Sequence, residues 1–104
     1  MELMVEVESL GFDSTWPREH HFSAYGFCGS PHLTLVAVAV KTTKINLWSG
    51  VVVLLFHYPI RVAENFSFFD HLSGSRIRLG LDIGYQPIEY KGFGVHKYRY
   101  RNVF

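Results

Sequence analysis

The spacing of hydrophobic positions changes several times along the chain, and each change marks an element. Over residues 2–10, Leu3, Val7 and Leu10 fall near one face and Glu2, Glu6 and Glu8 largely elsewhere, a helical period that Gly11 stops. Phe12–Trp16 reads as a short strand, which Pro17 ends or confines to an edge. Residues 18–30, rich in Gly, Ser and aromatics, read as a loop. Ser30-Pro31 is a helix start, with serine at the N-cap and proline at the first helical position. The HLTLVAVAVK that follows suits a helix or a strand equally, because its valines alternate. Residues 45–54 form an almost continuous β-branched run, the pattern of a strand covered on both faces. Pro59 opens another helix, in which Ile60, Ala63, Phe66, Phe69 and Leu72 recur at helical spacing and Gly74 stands at the C-terminal cap. Ile77–Leu81 is a further strand, and GYQPIEYKGFG (84–94) is turn-rich.

Apolar strands alternating with helices predict an α/β fold of right-handed βαβ units with a parallel sheet. Three buried-type strands leave two edges, and such edges must be paired or covered. The chain has 104 residues, well under half of the roughly 250 of a (β/α)₈ barrel. It is therefore expected to be one partial domain, 1–104, belonging to a larger sheet, or to oligomerise through its open edges.

Composition narrows the class. With 48% hydrophobic and 18% charged residues the chain is globular, and a formal charge of +1 gives no electrostatic case for nucleic acid or a membrane surface. The basic HKYRYR (96–101) is short and reads as a solvated helix start. A single cysteine, Cys28, cannot form an internal disulfide, which points to the cytoplasm. The opening MELMVEVESL lacks a secretory signal, and INLWSGVVVLLF (45–56) is shorter than the roughly 20 residues of a membrane span.

The chemistry centres on REHHFSAYG (18–26), where a carboxylate and two imidazoles adjoin. In an extended segment His20 and His21 point to opposite faces and cannot easily share one ion. No further ligands stand at a recognisable spacing, so no metal site is expected. A structural role for a loop histidine remains open. Cys28 has no adjacent base and reads as a small packed residue, the phenylalanines at 66, 68 and 69 read as helix-to-sheet core, and GSRIRLG (74–80) is no phosphate fingerprint. Parallel folds carry function at the carboxyl ends of strands. His20 follows the first strand, Gly50-Val51 lies late in the second, and Asp82-Ile83 ends the third, so these converge on one rim.

Three segments together carry a resemblance: GFDSTWPREHHFSAYGFCGSP, KTTKINLWSGVVVLLFHYPIRVAEN and FFDHLSGSRIRLGLDIGYQPIEYKGFGV. From about residue 4 to residue 95 the chain resembles the bacterial luciferase-like, flavin-dependent monooxygenases. That resemblance implies strands two to four of a (β/α)₈ barrel and reduced flavin mononucleotide (FMN) bound at the strands' carboxyl rim. It also implies oxidation of a small organic substrate by O₂, with a flavin reductase as electron donor. His20 falls on the family's catalytic histidine and His21 on its neighbour, which orients the site. Gly50 and Val51 fall on a non-proline cis peptide beneath the flavin ring. Asp82 and Ile83 fall in a segment whose arginine contacts the flavin phosphate. Here Ile83 replaces that arginine, SGSR (73–76) stands for SGGR, and Leu55 stands where a proline is usual. The expectation is a fragment of such a monooxygenase that is inactive as an isolated chain. The alternative is a non-catalytic remnant, an oligomerising interaction module derived from the same fold.

Overall fold

The computed structural model describes residues 1–24 and 28–96. Helix α1 (Glu2–Ser9) leads into strand β1 (Ser14–Thr15), and α2 (Pro31–Ala39) leads into β2 (Asn46–Trp48) and β3 (Val52–Val53). A 3₁₀ turn (Leu54–Phe56) and α3 (Pro59–Leu72) precede β4 (Ile77–Arg78) and β5 (Leu81–Asp82), and α4 (Pro87–Phe93) follows. Among the described residues every strand pairing is parallel: β1-β2-β4 form one sheet and β3-β5 another. No helix among the described residues is long and apolar enough to cross a membrane.

The two sheets are one set of strands interrupted by a kink. Expected as single strands, 45–54 breaks at Ser49–Val51 and 77–81 breaks at Leu79–Gly80, and β5 continues to Asp82. The peptide bond Gly50-Val51 in the middle of the break is cis. The Ser49 side chain substitutes for the lost ladder. Its hydroxyl donates to the Gly80 carbonyl at 3.1 Å and accepts from the Gly80 N–H at 2.9 Å. Above the kink pairing resumes, with the Val52 N–H donating to the Gly80 carbonyl at 2.9 Å. Gly80 must be glycine here, because a Cβ would lie 2.4 Å from the Ser49 carbonyl oxygen.

Side-chain alternation divides the sheet into two faces. Leu47 and Ile77 point to the helices and join Leu35, Val38, Ile45, Val62, Phe66 and Phe69 in the core. The in-register Trp48 and Arg78 belong to the opposite face, where Trp48 stacks on Trp16 with centroids 4.5 Å apart and planes within 2°. On α3 the buried stripe is Val62, Phe66 and Phe69, whereas Ile60, Ala63, Phe68 and Leu72 are exposed. On α1, Met4, Val5 and Val7 pack against the core while Leu3 and Leu10 face solvent. In both helices the apolar face is rotated from the expected one, because apolar residues lie on more than one side and docking selects among them. The valine-rich 31–39 segment is helical, started by Pro31 after Ser30.

Arg76 and Glu8 fasten helix ends to strands. The Arg76 guanidinium donates to the carbonyls of Ser73 (2.8 Å), Ala39 (3.0 Å), Thr42 (3.2 Å) and Ile45 (3.2 Å), and to the Thr42 hydroxyl (2.9 Å). It thus satisfies carbonyls left over at the end of α2. The Glu8 carboxylate accepts from the N–H groups of Thr43, Lys44 and Ile45 at 2.8–3.1 Å. Those contacts, Ile45 first, hold its carboxyl down to about 2.

Residues 87–93, expected as turn, form α4. Pro87 occupies its first position and Gly94, at φ +66°, ends it in the left-handed conformation. Gly92 inside the helix is needed for contact, since a Cβ there would overlap the Phe22 ring. Of HKYRYR, all but His96 lies outside the described residues.

Candidate functional site

The carboxyl ends of the strands meet around a cavity of about 250 Å³. It is lined by Arg18, Glu19 and His20 after β1, Gly50, Val51 and Val53 from the kink and β3, Asp82, Gly84 and Tyr85 from and after β5, and Glu89 of α4. Four of the six residues singled out from the sequence therefore line one cavity: His20, Gly50, Val51 and Asp82. The other two do not. Ile83 borders a neighbouring hollow with Leu54, Leu81 and Asp82. His21 turns the other way, as successive side chains in an extended segment must. Its ring packs edge-on to Phe93 (4.7 Å) and Phe56 (5.8 Å).

His20 is held from α4. Its Nδ1 lies 3.2 Å from Glu89 Oε1, and the same oxygen accepts the His21 backbone N–H at 2.7 Å. The Glu89 side chain is 1% exposed. The Gln86 side-chain nitrogen lies 3.5 Å from the same Nδ1; the closer Glu89 oxygen, as an acceptor, favours a neutral His20 with its proton on Nδ1. The Tyr85 ring stands edge-on to His20 at 6.2 Å. Tyr90, one residue on from Glu89, donates through its hydroxyl toward the carbonyls of Ile83 (2.9 Å) and Gly84 (2.7 Å), which ties α4 to the end of β5.

Glu19, also in the lining, is a second buried carboxylate. Glu19 Oε1 meets both His21 Nε2 and His57 Nε2 at 2.7 Å, and Oε2 accepts the Val53 N–H at 2.7 Å. Burial pushes this carboxyl up, but the hydrogen bonds from His57, His21 and Val53 outweigh it and hold the group below the usual carboxylate range. His32 stands beyond His57, ring centroids 6.0 Å apart. Burial and the neighbouring His57 lower its pKa against the opposing pull of Glu19. Among the described residues no group of three or more potential ligands is placed to hold a metal ion. Cys28 is half-buried, its sulfur 3.3 Å from the Thr34 hydroxyl.

Sequence reasoning did not single out Glu89, His57, Arg18 or Tyr85. Glu89 carried a usable signal: it stands two residues after Pro87, in a first helical turn. His57 heads HYPIRVAEN, one of the segments that carry the resemblance, but nothing there foretold its contact with Glu19, 38 residues away.

Parallel strands, intervening helices and a cavity at the strands' carboxyl ends define a segment of an α/β barrel. The whole chain, residues 1–104, matches the luciferase-like monooxygenases, and it belongs to that family. It is 35% identical over 95 residues to 4-hydroxyprotoasukamycin monooxygenase of Streptomyces nodosus subsp. asukaensis, covering 91% of this chain and 26% of that one. The monooxygenase RslO1 of Streptomyces bottropensis superposes with a TM-score of 0.90 at 27% identity, over 99% of this chain and 33% of that one. The oxygenating constituent of 3,6-diketocamphane monooxygenase from Pseudomonas putida, solved with FMN, superposes with a TM-score of 0.87 at 23% identity, over 92% of this chain and 26% of that one. The chain thus spans about a quarter to a third of these relatives.

Proposed function

We propose that the cavity beside His20 receives the ring end of a reduced flavin mononucleotide, and that the chain contributes this part of a site oxidising a small organic substrate with O₂. The observation that carries the reading is the convergence of His20, Gly50, Val51 and Asp82 on one cavity at the carboxyl ends of parallel strands. The residues present fit a flat ring. At Gly50 no side chain intrudes, Val51 and Val53 offer apolar contact, and His20 offers an imidazole of fixed orientation. They do not form a phosphate cradle at the end of β5, where Asp82 is an anion and Ile83 an alkyl group. Arg18 is the one guanidinium in the lining, so most ligands of the phosphate must lie outside this chain's described cavity.

Reduced flavin would supply the electrons with which O₂ is activated, and a separate reductase would supply the reduced flavin. The chain's own part is positioning and proton handling. Glu89 holds His20 Nδ1 and so fixes the orientation of the ring, and the imidazole is a group able to take or give a proton beside the bound flavin. Val51 and Val53 exclude water from one side of the cavity.

Amide NMR shifts of the 104-residue chain on titration with FMN, oxidised and reduced, test this. Shifts centred on His20, Gly50, Val51 and Asp82, with a dissociation constant weaker than about 10 μM (above roughly −7 kcal/mol), are expected, because the phosphate end lacks most of its ligands here. Absence of shifts up to millimolar FMN, or shifts centred elsewhere, overturns the proposal. Micromolar or tighter binding overturns the statement that most phosphate ligands lie outside.

The second reading, a non-catalytic oligomerising module, draws on the exposed apolar residues Leu79, Leu81 and Ile83 along the last strand. A defined oligomer by sedimentation, in protein that takes up no flavin, would favour it.

A further inference from the structure

Two walls of the cavity come from segments far apart in the chain: residues 18–20 after β1 and residues 50–53 at the kink. The side chain of Glu19, in the first wall, bonds to Val53 in the second. The Glu19 carboxylate, with 0% side-chain exposure, takes the Val53 N–H on Oε2 and the His21 and His57 imidazoles on Oε1. We propose that Glu19 is the positioning residue of the site: its carboxylate fixes the His20 loop against β3 and the His57 turn, and so sets where His20 stands relative to Gly50-Val51. This rests on the reading that the His20 cavity is the working site.

The geometry dictates the proton arrangement. An ionised carboxylate only accepts, so all three donors must present hydrogen to it. Both His21 and His57, when neutral, therefore carry their proton on Nε2. Burial of the carboxylate makes each of these bonds costly to leave unmade. His20 is the residue between Glu19 and His21, so a shift of either neighbour's anchor moves the His20 backbone directly. The His21 N–H is at the same time bound to Glu89, which also holds the His20 ring. Glu89 thus holds the His20 ring and the His21 backbone, while Glu19 holds the His21 ring.

The substitution Glu19→Gln keeps the shape and changes the donor pattern. A glutamine can offer its oxygen to the Val53 N–H, and its NH₂ then faces the two imidazoles, whose Nε2 atoms must become acceptors. ¹⁵N-resolved spectra of the histidine rings in the 104-residue chain, without flavin, read this directly. Expected are loss of the Nε2–H signals of His21 and His57, their replacement by Nδ1–H, and displaced ring signals of His20 together with displaced amides of Gly50 and Val51. His57→Ala removes one anchor on the side of Glu19 away from His20 at a partly exposed position, and serves if Glu19→Gln does not fold. It is expected to displace the same His20 and Gly50 signals. A folded variant of either kind whose His20 ring and Gly50 and Val51 amides stay at the parent positions overturns the inference. Because the readout needs no ligand, failure to bind flavin would bear on the proposed function and leave this inference standing.

Discussion

Replacing Ser49 by alanine should separate the kinked strands at a calculable cost. Ser49 is 0% exposed, and its hydroxyl is the partner of the Gly80 N–H at 2.9 Å and a donor to the Gly80 carbonyl at 3.1 Å. The two losses are unequal. The carbonyl retains the Val52 N–H at 2.9 Å, so losing its second donor costs well under about 1 kcal/mol. The Gly80 N–H, at a half-buried position, is left without a protein partner, which costs up to about 1–3 kcal/mol. A total near 2 kcal/mol corresponds to a fall in Tm of about 8–16 °C for a chain of this size. In urea the midpoint should drop by about 1 M, with m unchanged. Circular dichroism at rising urea gives the midpoint, and hydrogen exchange gives the location: the Gly80 amide should lose protection before its neighbours in β4. Ser9→Ala, which removes an exposed hydroxyl bonded to the Glu6 carbonyl, is the control and should change little. A Ser49→Ala protein within about 0.5 kcal/mol of the parent, or a Gly80 amide equally protected in both, would refute the view that this hydroxyl replaces the ladder.

Two more outcomes follow from the helix-end contacts. Arg76→Met keeps the stem but strips five hydrogen bonds from four carbonyls and a hydroxyl; it should cost about 2–4 kcal/mol by urea unfolding, with Arg76→Lys intermediate. The Glu8 carboxyl is held at about 2 against an ordinary 4.5, so its contribution is complete above pH 4.5 and disappears as pH falls toward 2. Glu8→Gln should accordingly be less stable at neutral pH and lose less stability across that window, read as the urea midpoint against pH.

The alternation of helix and strand was legible because each element carries its own period and its own proline or glycine punctuation. The kink was not. A run such as NLWSGVVV has β-branched residues on both sides of the break, and only the tertiary pairing of Ser49 with Gly80 shows where the ladder stops. Helix α4 was hidden by Gly92, which lowers helix propensity yet is required where Phe22 packs. The rotated faces of α1 and α3 have the same cause: local pattern offers several apolar stripes, and docking chooses one. Of the cavity, His20 and Gly50-Val51 stand at strand ends, where a parallel fold collects its chemistry. Glu89 joins them only through a contact 69 residues long, and His57 supports Glu19 across 38. Of the two residues singled out at the end of β5, Asp82 borders both the His20 cavity and the neighbouring hollow, and Ile83 only the latter.

The chain has two tryptophans, Trp16 and Trp48, and they are stacked on one another beneath the kink. A Cβ on Gly50 would come within 3.0 Å of the Trp16 ring. All tryptophan emission of this protein therefore arises from a single coupled pair one residue from the cavity wall. An emission-monitored melt records the parting of β1 from β2 at that spot, so a disagreement between it and circular dichroism would mean that the cavity floor opens at a different point from the helices.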